Sequence, residues 1–111
     1  MTVTAYSRQF KQLVRVEIPD GDIEDFTTTD ATWSLAFKQY AEIMPLAGDE
    51  QVAALQINPR ISQRIRMRWV DDYSTTRTRF VYGSRVFYVA STRNLDERNR
   101  IWEFWCVEEV A

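Results

Sequence analysis

Alternation of apolar and polar residues is the dominant pattern along the chain, and it predicts strands. Residues 13 to 18, LVRVEI, place three apolar side chains two residues apart, with Arg15 and Glu17 between them. A period of two is typical of a strand with one buried face, so the first strand is predicted here. The same period predicts a second strand from Trp33 to Pro45, with one face formed by Trp33, Leu35, Phe37, Gln39, Ala41 and Ile43.

Four further strands follow from the same reasoning. Residues 61 to 70, ISQRIRMRWV, alternate an apolar face with an arginine face. Residues 78 to 92 predict a hairpin, because Gly83 and Ser84 are a suitable pair for a two-residue type II′ turn. Residues 101 to 109, IWEFWCVEE, predict the last strand.

The last two strands are apolar on both faces. A small barrel has only one interior, so some of these aromatic side chains need cover from outside. We expect the helical segment or another subunit to cover them. The candidates for this cover are Phe87, Tyr88, Trp102 and Trp105.

Residues 47 to 59, AGDEQVAALQINP, are the one run that favours a helix. The Gly-Asp-Glu at its start is a plausible cap, and Pro59 ends it. Its apolar stripe consists of Val52, Leu55 and Ile57, which is thin for firm attachment to a core. A short, weakly attached helix or a mobile loop is therefore expected in the middle of the chain.

The predicted elements describe a mainly β protein. The 111 residues are the usual size of a single domain, here residues 1 to 111, with one core. About six strands in sequence-local order, with one short helix or mobile loop, predict a small antiparallel β-barrel or sandwich.

The charges are unevenly distributed along the chain. The net charge is -2, but residues 60 to 100 hold ten arginines against four acids, while residues 17 to 30 are acidic. Two interpretations of the arginines in the strand at residues 61 to 70 stay open: a face exposed to solvent, and contacts with the phosphates of a nucleic acid. Trp69, which could stack on bases, falls on the opposite face of that strand. Pairing between neighbouring chains is the third option, and its candidates are Arg64, Arg66, Arg68, Arg79, Asp22, Glu24 and Asp25.

The composition argues against several kinds of chemistry. The chain has no histidine, which removes the Ser-His-Asp and Cys-His systems, and Cys106 is its single cysteine. No apolar run reaches the ~18 residues of a membrane span, and no signal-peptide pattern is present. We expect no enzyme activity, no cofactor, no metal and no membrane contact.

Residues 93 to 100, RNLDERNR, are the most strongly polar stretch. Asparagine and aspartate bond to their own backbone in turns, and arginines can bind carboxylates in a forked geometry, so a structural turn is predicted. Asp96 and Glu97 are expected to pair with nearby arginines. The residues of the predicted turn are Arg93, Asn94, Asp96, Glu97, Arg98, Asn99 and Arg100.

Three stretches together resemble a known family. Residues 40 to 50, YAEIMPLAGDE, are similar to its W-A-x-I-x-P-L-S-G-x-E signature, and residues 63 to 69, QRIRMRW, to its T-H-R-I-x-I-R-Y strand. Residues 79 to 109 are similar to its ending, which contains G-R-x-F and N-x-D-E-R-N-R. The family is that of the tailed-bacteriophage head-tail joining proteins, also called head closure or stopper proteins.

The resemblance implies a virion protein that assembles in the host cytoplasm into a ring of about twelve copies. Such a ring lies below the portal and adaptor proteins, helps to seal the head, and offers a surface to a tail-completion or tail-terminator protein. DNA passes its channel without specific binding. An OB-like nucleic-acid-binding barrel and another tail or capsid accessory protein stay open as alternatives. The segment that the resemblance directs to the channel includes Pro45, Leu46, Gly48, Asp49, Glu50, Gln51, Gln56, Asn58 and Arg60.

Overall fold

A computed structural model describes residues 10 to 20, 32 to 69 and 78 to 110 of the chain, apart from the side chains of Asp96 and Val110. None of the helices in these ranges is long and apolar enough to cross a membrane. The acidic residues Asp22, Glu24 and Asp25 lie outside the described ranges. The elements are β1 (Gln12–Pro19), β2 (Trp33–Pro45), α1 (Gly48–Ile57), β3 (Gln63–Arg68), β4 (Arg79–Tyr82), β5 (Arg85–Asn94), a 3-10 turn (Leu95–Glu97) and β6 (Ile101–Val110).

The strands close into one antiparallel barrel. Their order around it is β1-β2-β3-β6-β5-β4, and β1 meets β4 to complete the circle. Gly83 has a φ of +62°, which suits the first central position of a type II′ turn, and Tyr82 is paired with Arg85 across that turn. The predicted mainly β fold with six strands and one helix is confirmed.

The barrel interior is filled by the inward face of every strand. Phe80 and Phe104 meet edge to face with their ring centroids 4.8 Å apart, and Phe87 is equally buried. Aromatic rings in this arrangement add to the stability gained from burial alone. The buried core residues are Val14, Val16, Ala41, Ile65, Met67, Phe80, Phe87, Val89, Phe104 and Cys106.

The predicted inward face of β2 is wrong at its beginning. Val16 pairs with Phe37, but Glu17 pairs with Leu35, so the register shifts by one residue between them. A bulge of this kind reverses which residues face the interior. Leu35 is therefore 44% exposed on the outer surface, while Ala41 is buried as predicted.

Helix α1 packs against the outside of the barrel. Leu46, Ala54 and Ile61 form a second buried cluster with Val107, and Trp105 packs against it. Trp105 thus has the intrachain cover that the sequence predicted for some of the aromatic residues. Of the other three, Phe87 is inside the barrel, Tyr88 meets Trp33 edge to face, and Trp102 packs against the main core.

The predicted buried stripe of α1 is wrong. Val52, Leu55 and Ile57 are 61%, 50% and 55% exposed, and Ala54 is the buried residue of this helix. The small alanine side chain lets the helix backbone approach the wall closely. The predicted cap is also wrong, because the N-cap residue is Ala47, which makes no side-chain capping bond.

Replacing Phe104 with alanine should remove a large part of the stability of the barrel. We expect the free energy of unfolding to fall by about 3 to 5 kcal/mol, since the change leaves a cavity in a closed interior. Urea denaturation followed by tryptophan fluorescence measures it. Leu35→Ala is the control, with an expected change within about 0.5 kcal/mol because Leu35 is largely exposed. Similar losses for both variants would contradict the assigned core.

Candidate functional site

The outer wall formed by β2, β3, β6 and β5 carries a row of alternating charges. Glu42 lies opposite Arg66, Arg66 opposite Glu103, and Glu103 opposite Arg93. Side chains directly opposite one another on antiparallel strands are close enough to interact. We call these four residues the charge ladder.

Glu103 is the centre of the charge ladder. Its Oε1 accepts a hydrogen bond from Arg66 Nε at 2.7 Å, and Arg93 Nη2 lies 2.7 Å from its Oε2. The residue is 1% exposed although it is on the outer wall. A buried carboxylate is stable only when it is paired, and here two guanidinium groups compensate its charge.

A bulge in β5 brings Arg93 to Glu103. Val89 pairs with Cys106, but Ser91 pairs with Trp105, so the register shifts at Ala90. Strict alternation from Phe87 and Val89 would direct Arg93 into the interior. The extra residue turns Arg93 to the outer wall, which is a common use of a bulge.

Arg64 links α1 to the barrel. Its Nη1 donates to Oε1 of Glu50 in the first turn of α1 at 3.0 Å, and its Nη2 lies 3.5 Å from Glu42 Oε1. Arg60 forms a second ion pair, with Glu109 of β6, next to the end of the helix. The segment from Pro45 to Arg60 is therefore held at both ends by ion pairs as well as by its buried cluster.

The remaining arginine candidates are not gathered in one place. Arg79 is on the side of the barrel formed by β1 and β4, where its Nε donates to Glu17 Oε1 at 2.7 Å. Arg15 binds the same carboxylate, and the Arg79 guanidinium lies 4.6 Å from the Trp33 ring centroid. Arg68 is exposed at the end of β3.

The turn between β5 and β6 is held by its two asparagines. Asn94 Oδ1 accepts a hydrogen bond from Asn99 N at 3.1 Å, and Asn94 Nδ2 donates to Asn99 Oδ1 at 2.7 Å. Asn99 and Glu97 adopt φ values of 54° and 53°, a conformation that asparagine tolerates better than most residues. Glu97 forms no ion pair with another described residue, and the side chain of Asp96 lies outside the described part.

Arg85 and Glu108 form a forked ion pair over the Phe87 ring. Arg85 Nε and Nη2 donate to the two carboxylate oxygens of Glu108 at 2.6 and 3.1 Å, and the guanidinium lies 4.8 Å from the ring centroid of Phe87. The hydrogen bonds from Arg85 hold the pKa of Glu108 below its ordinary value, against the opposing effect of burial.

The single thiol of the chain is inside the barrel. Cys106 is fully buried, and burial raises its pKa far above the ordinary value because the thiolate is poorly solvated there. Its role is that of a small apolar core residue. The described residues bring together no group of three side chains that could ligate a metal ion.

The acidic partners of the arginines were missed by the sequence analysis. Glu42, Glu103 and Glu17 were not candidate residues, yet each binds or faces an arginine that was. An acidic residue at an outward strand position is a usable signal, but it identifies a partner only when the strand register is known. The arrangement forms a stiff outer wall and a tethered helix.

Removing the Glu103 carboxylate should destabilise the fold strongly. We expect Glu103→Gln to lower the free energy of unfolding by about 3 kcal/mol, because two arginines then share no counter-charge. Glu109→Gln on the same strand is the control, and a loss within about 1 kcal/mol is expected because its pair with Arg60 is exposed. Urea denaturation measures both. An equally small loss in the free energy of unfolding for both variants would show that the charge ladder does not stabilise the wall.

The ion pair of Glu108 with Arg85 should make a pH-dependent contribution to the free energy of unfolding. Because its pKa is lower in the folded protein, the contribution is complete above the ordinary value of 4.5 and is lost as the pH falls through the folded-state pKa. Glu108→Gln should cost about 0.5 to 1 kcal/mol at pH 7, since Arg85 is partly solvent-screened, and almost nothing at about pH 2. Urea denaturation at both pH values tests this, and an equal deficit at the two would contradict it.

Comparisons with known proteins identify the family. Comparison with curated protein sequences finds no significant match. A solved structure titled "Virion of native gene transfer agent (GTA) particle" contains a chain of similar fold, with a TM-score of 0.58 and 16% identity over 91% of this chain and 96% of that one. A family model described as phage head completion protein matches residues 6 to 109. Because the match covers most of this chain, the chain belongs to the phage head completion protein family and is a structural, head-related protein of the virion.

Proposed function

We propose that this protein completes the DNA-filled head by forming a ring below the portal and adaptor proteins. In that position it helps to retain the packaged DNA and offers a surface to a tail-completion or tail-terminator protein. Its membership of the head completion family supports a function at the head, and the fold it shares with a chain of a gene transfer agent virion is consistent with a part in such a particle. Assembly takes place in the host cytoplasm, before the tail is added.

The observation that carries the proposal is the exposure of three large apolar side chains on α1. Val52, Leu55 and Ile57 project from a helix that is fixed to the barrel through Ala54 and through the pair of Arg64 with Glu50. A fixed helix that presents three large apolar side chains to water is typical of a surface that meets another protein.

In the ring, the segment from Pro45 to Arg60 faces the central channel and narrows it. The apolar residues of α1 in one subunit meet those of neighbouring subunits, since burial there removes their contact with water. The first turn of α1 adds the carboxylate of Asp49, which repels the phosphates of DNA, next to Glu50, whose charge is compensated by Arg64. A narrow, acidic opening of this kind retains DNA without binding it.

The ion pairs of the wall support the same proposal over a nucleic-acid-binding barrel. Arg64, Arg66 and Arg79 are each within 3.5 Å of a carboxylate of their own chain. A guanidinium that is already paired gains little from a phosphate, because it must first give up its partner. Little specific affinity for DNA is therefore expected, and the arginines stabilise the wall on which the ring interfaces form.

Changing the exposed face of α1 should abolish head completion without unfolding the protein. Phages that lack this gene are complemented with the wild type or with the triple variant Val52→Gln, Leu55→Gln, Ile57→Gln. We expect tailless heads that have lost DNA from both the deletion and the triple variant, by electron microscopy. The purified variant should keep its free energy of unfolding within about 1 kcal/mol, because the three positions are exposed and glutamine favours helix.

The control is Leu35→Gln, which replaces an exposed apolar residue of β2 outside the segment from Pro45 to Arg60 and should restore tailed, infectious particles. Tailed particles from the deletion would overturn the proposed function itself. Tailed particles from the triple variant alone would overturn the assignment of α1 to the channel. A triple variant that fails to fold is replaced by the single change Leu55→Gln.

A further inference from the structure

Two large apolar side chains and a lysine are exposed next to each other on the outer surface of β1 and β2. Leu13 and Tyr40 lie directly opposite each other in the strand register and are 44% and 55% exposed. Lys38 is exposed on the same side of β2, two residues before Tyr40, because side chains alternate along a strand. We call these three residues the β2 patch. None of them belongs to α1, whose exposed residues carry the proposed function.

The charge of Lys38 is not compensated within the described part of the chain. The residue opposite it is Arg15, another cation, and like charges in directly opposed positions repel each other. Arg15 has a carboxylate partner, since its Nε lies 3.3 Å from Glu17 Oε2. Lys38 forms no ion pair with a described residue. The β2 patch therefore presents a positive charge beside apolar side chains, which suits a partner that brings a carboxylate.

A carboxylate without such a partner is present at the turn after β5. Glu97 is exposed, and its backbone φ of 53° lies in the left-handed region that glutamate rarely adopts. The hydrogen bonds between Asn94 and Asn99 hold the turn in this shape. Residues in strained conformations persist where the surrounding structure fixes them, and they cluster at functional sites. The turn therefore presents the side chain of Glu97 from a fixed position.

The β2 patch and the turn lie on opposite sides of the barrel. In the closed order β1-β2-β3-β6-β5-β4, β2 and β5 are three strands apart in either direction. α1 covers β6 through the contact of Ala54 with Val107, and Arg64 of β3 binds Glu50 of α1, so the helix occupies the wall between the two sides. In the proposed ring α1 faces the channel. The β2 patch and the turn then face the two neighbouring subunits.

We infer that neighbouring copies of this chain meet through an ion pair between Lys38 of one subunit and Glu97 of the next. The inference rests on the proposed function, because it assigns the contacts of the proposed ring. A ring requires an interface in which one surface meets a different surface of the next copy. Two opposite surfaces that each carry one unpaired charge, of opposite sign, meet this requirement.

The surroundings of the two charges fit the same contact. An open groove of about 400 Å³ beside the turn has room for the apolar side chains of the β2 patch. In the described part of the chain, it is lined by Thr92, Arg93, Asn94, Leu95 and Glu97. Burial of Leu13 and Tyr40 in this groove removes them from water and places the ion pair at its edge.

Exchanging the two charges tests the ion pair in particles. Phages that lack this gene are complemented with Lys38→Glu, with Glu97→Lys, or with both changes in one chain, and tailed, infectious particles are counted. We expect a loss of about tenfold or more for each single change, because two like charges then meet at every interface. The combined variant should recover to within roughly threefold of the wild type, since every interface again holds one charge of each sign.

The matched control combines Lys11→Glu with Glu97→Lys. It has the same net charge as the exchanged pair, and Lys11 is the other lysine of the chain and also exposed. This control should stay as defective as Glu97→Lys alone, because Lys38 then still meets a positive charge. Each purified variant should keep the urea midpoint of the wild type, since all the changed positions are exposed.

Cross-linking tests the contact between copies directly. Ala36→Cys and Arg98→Cys introduce thiols at two exposed positions. The first is two residues before Lys38 and the second is next to Glu97, so both charges stay in place. In purified particles that carry both cysteines, a short bismaleimide should join neighbouring copies into a ladder of covalent multimers on a denaturing gel. Either cysteine alone should leave the monomer band, since the two positions are on different sides of the subunit.

The inference fails if both single charge changes leave the particle yield unchanged, or if the exchanged pair recovers no better than the Lys11 control. The latter result would mean that Lys38 and Glu97 contact other proteins and not each other. The absence of a ladder from the double-cysteine particles also contradicts it. Failure of the proposed function appears instead as tailed particles from the deletion, which carries none of these changes, so the two failures are distinguishable.

Discussion

A closed barrel has one interior, and the rest of this structure follows from that limit. Phenylalanine side chains from β4, β5 and β6 fill the interior together with smaller residues of the other strands. Trp105 and Val107 then have no room inside, although they belong to the same strand as Phe104. They are covered from outside by Ala54 of α1, with Leu46 and Ile61 on either side. The helix is present on the wall because the last strand is apolar on both faces.

The wall beside the helix is held by a different kind of contact. Among the described residues, Glu103 and Glu17 are each a carboxylate between two guanidinium groups. At least one pair in each case crosses neighbouring strands, so the interaction depends on the strand register. A slip of one residue would separate the charges and leave a buried carboxylate without a partner. These contacts therefore favour one register and use arginines that would otherwise attract DNA.

Much of the architecture could be predicted from the sequence, because strands with one buried face carry a clear period of two. Residues 13 to 18, the stretch up to Pro45 and the Gly83 hairpin are at or within a residue or two of their predicted positions. The predictions failed where a single residue changes the period. The bulge opposite Glu17 moved Leu35 to the outside, and the bulge at Ala90 brought Arg93 to Glu103.

The buried face of α1 could not be predicted from the sequence either. Large apolar residues usually predict the packed side of a helix, and they predicted it wrongly here. The close approach of α1 to a wall that already carries Trp105 favours the smallest side chain, Ala54, at the contact. The large residues are left exposed to solvent. The acidic partners of the arginines were missed for a similar reason, since they depend on the register and not on spacing along one strand.

The burial of Cys106 has a practical consequence for studies of assembly. Its thiol is enclosed among core side chains and stays protonated at neutral pH, so it reacts neither with oxidants nor with alkylating reagents while the barrel is closed. A cysteine introduced on the exposed face of α1 is then the single reactive thiol of each folded subunit. Spectroscopic labels and cross-linking reagents can be directed to that helix without first removing the natural cysteine.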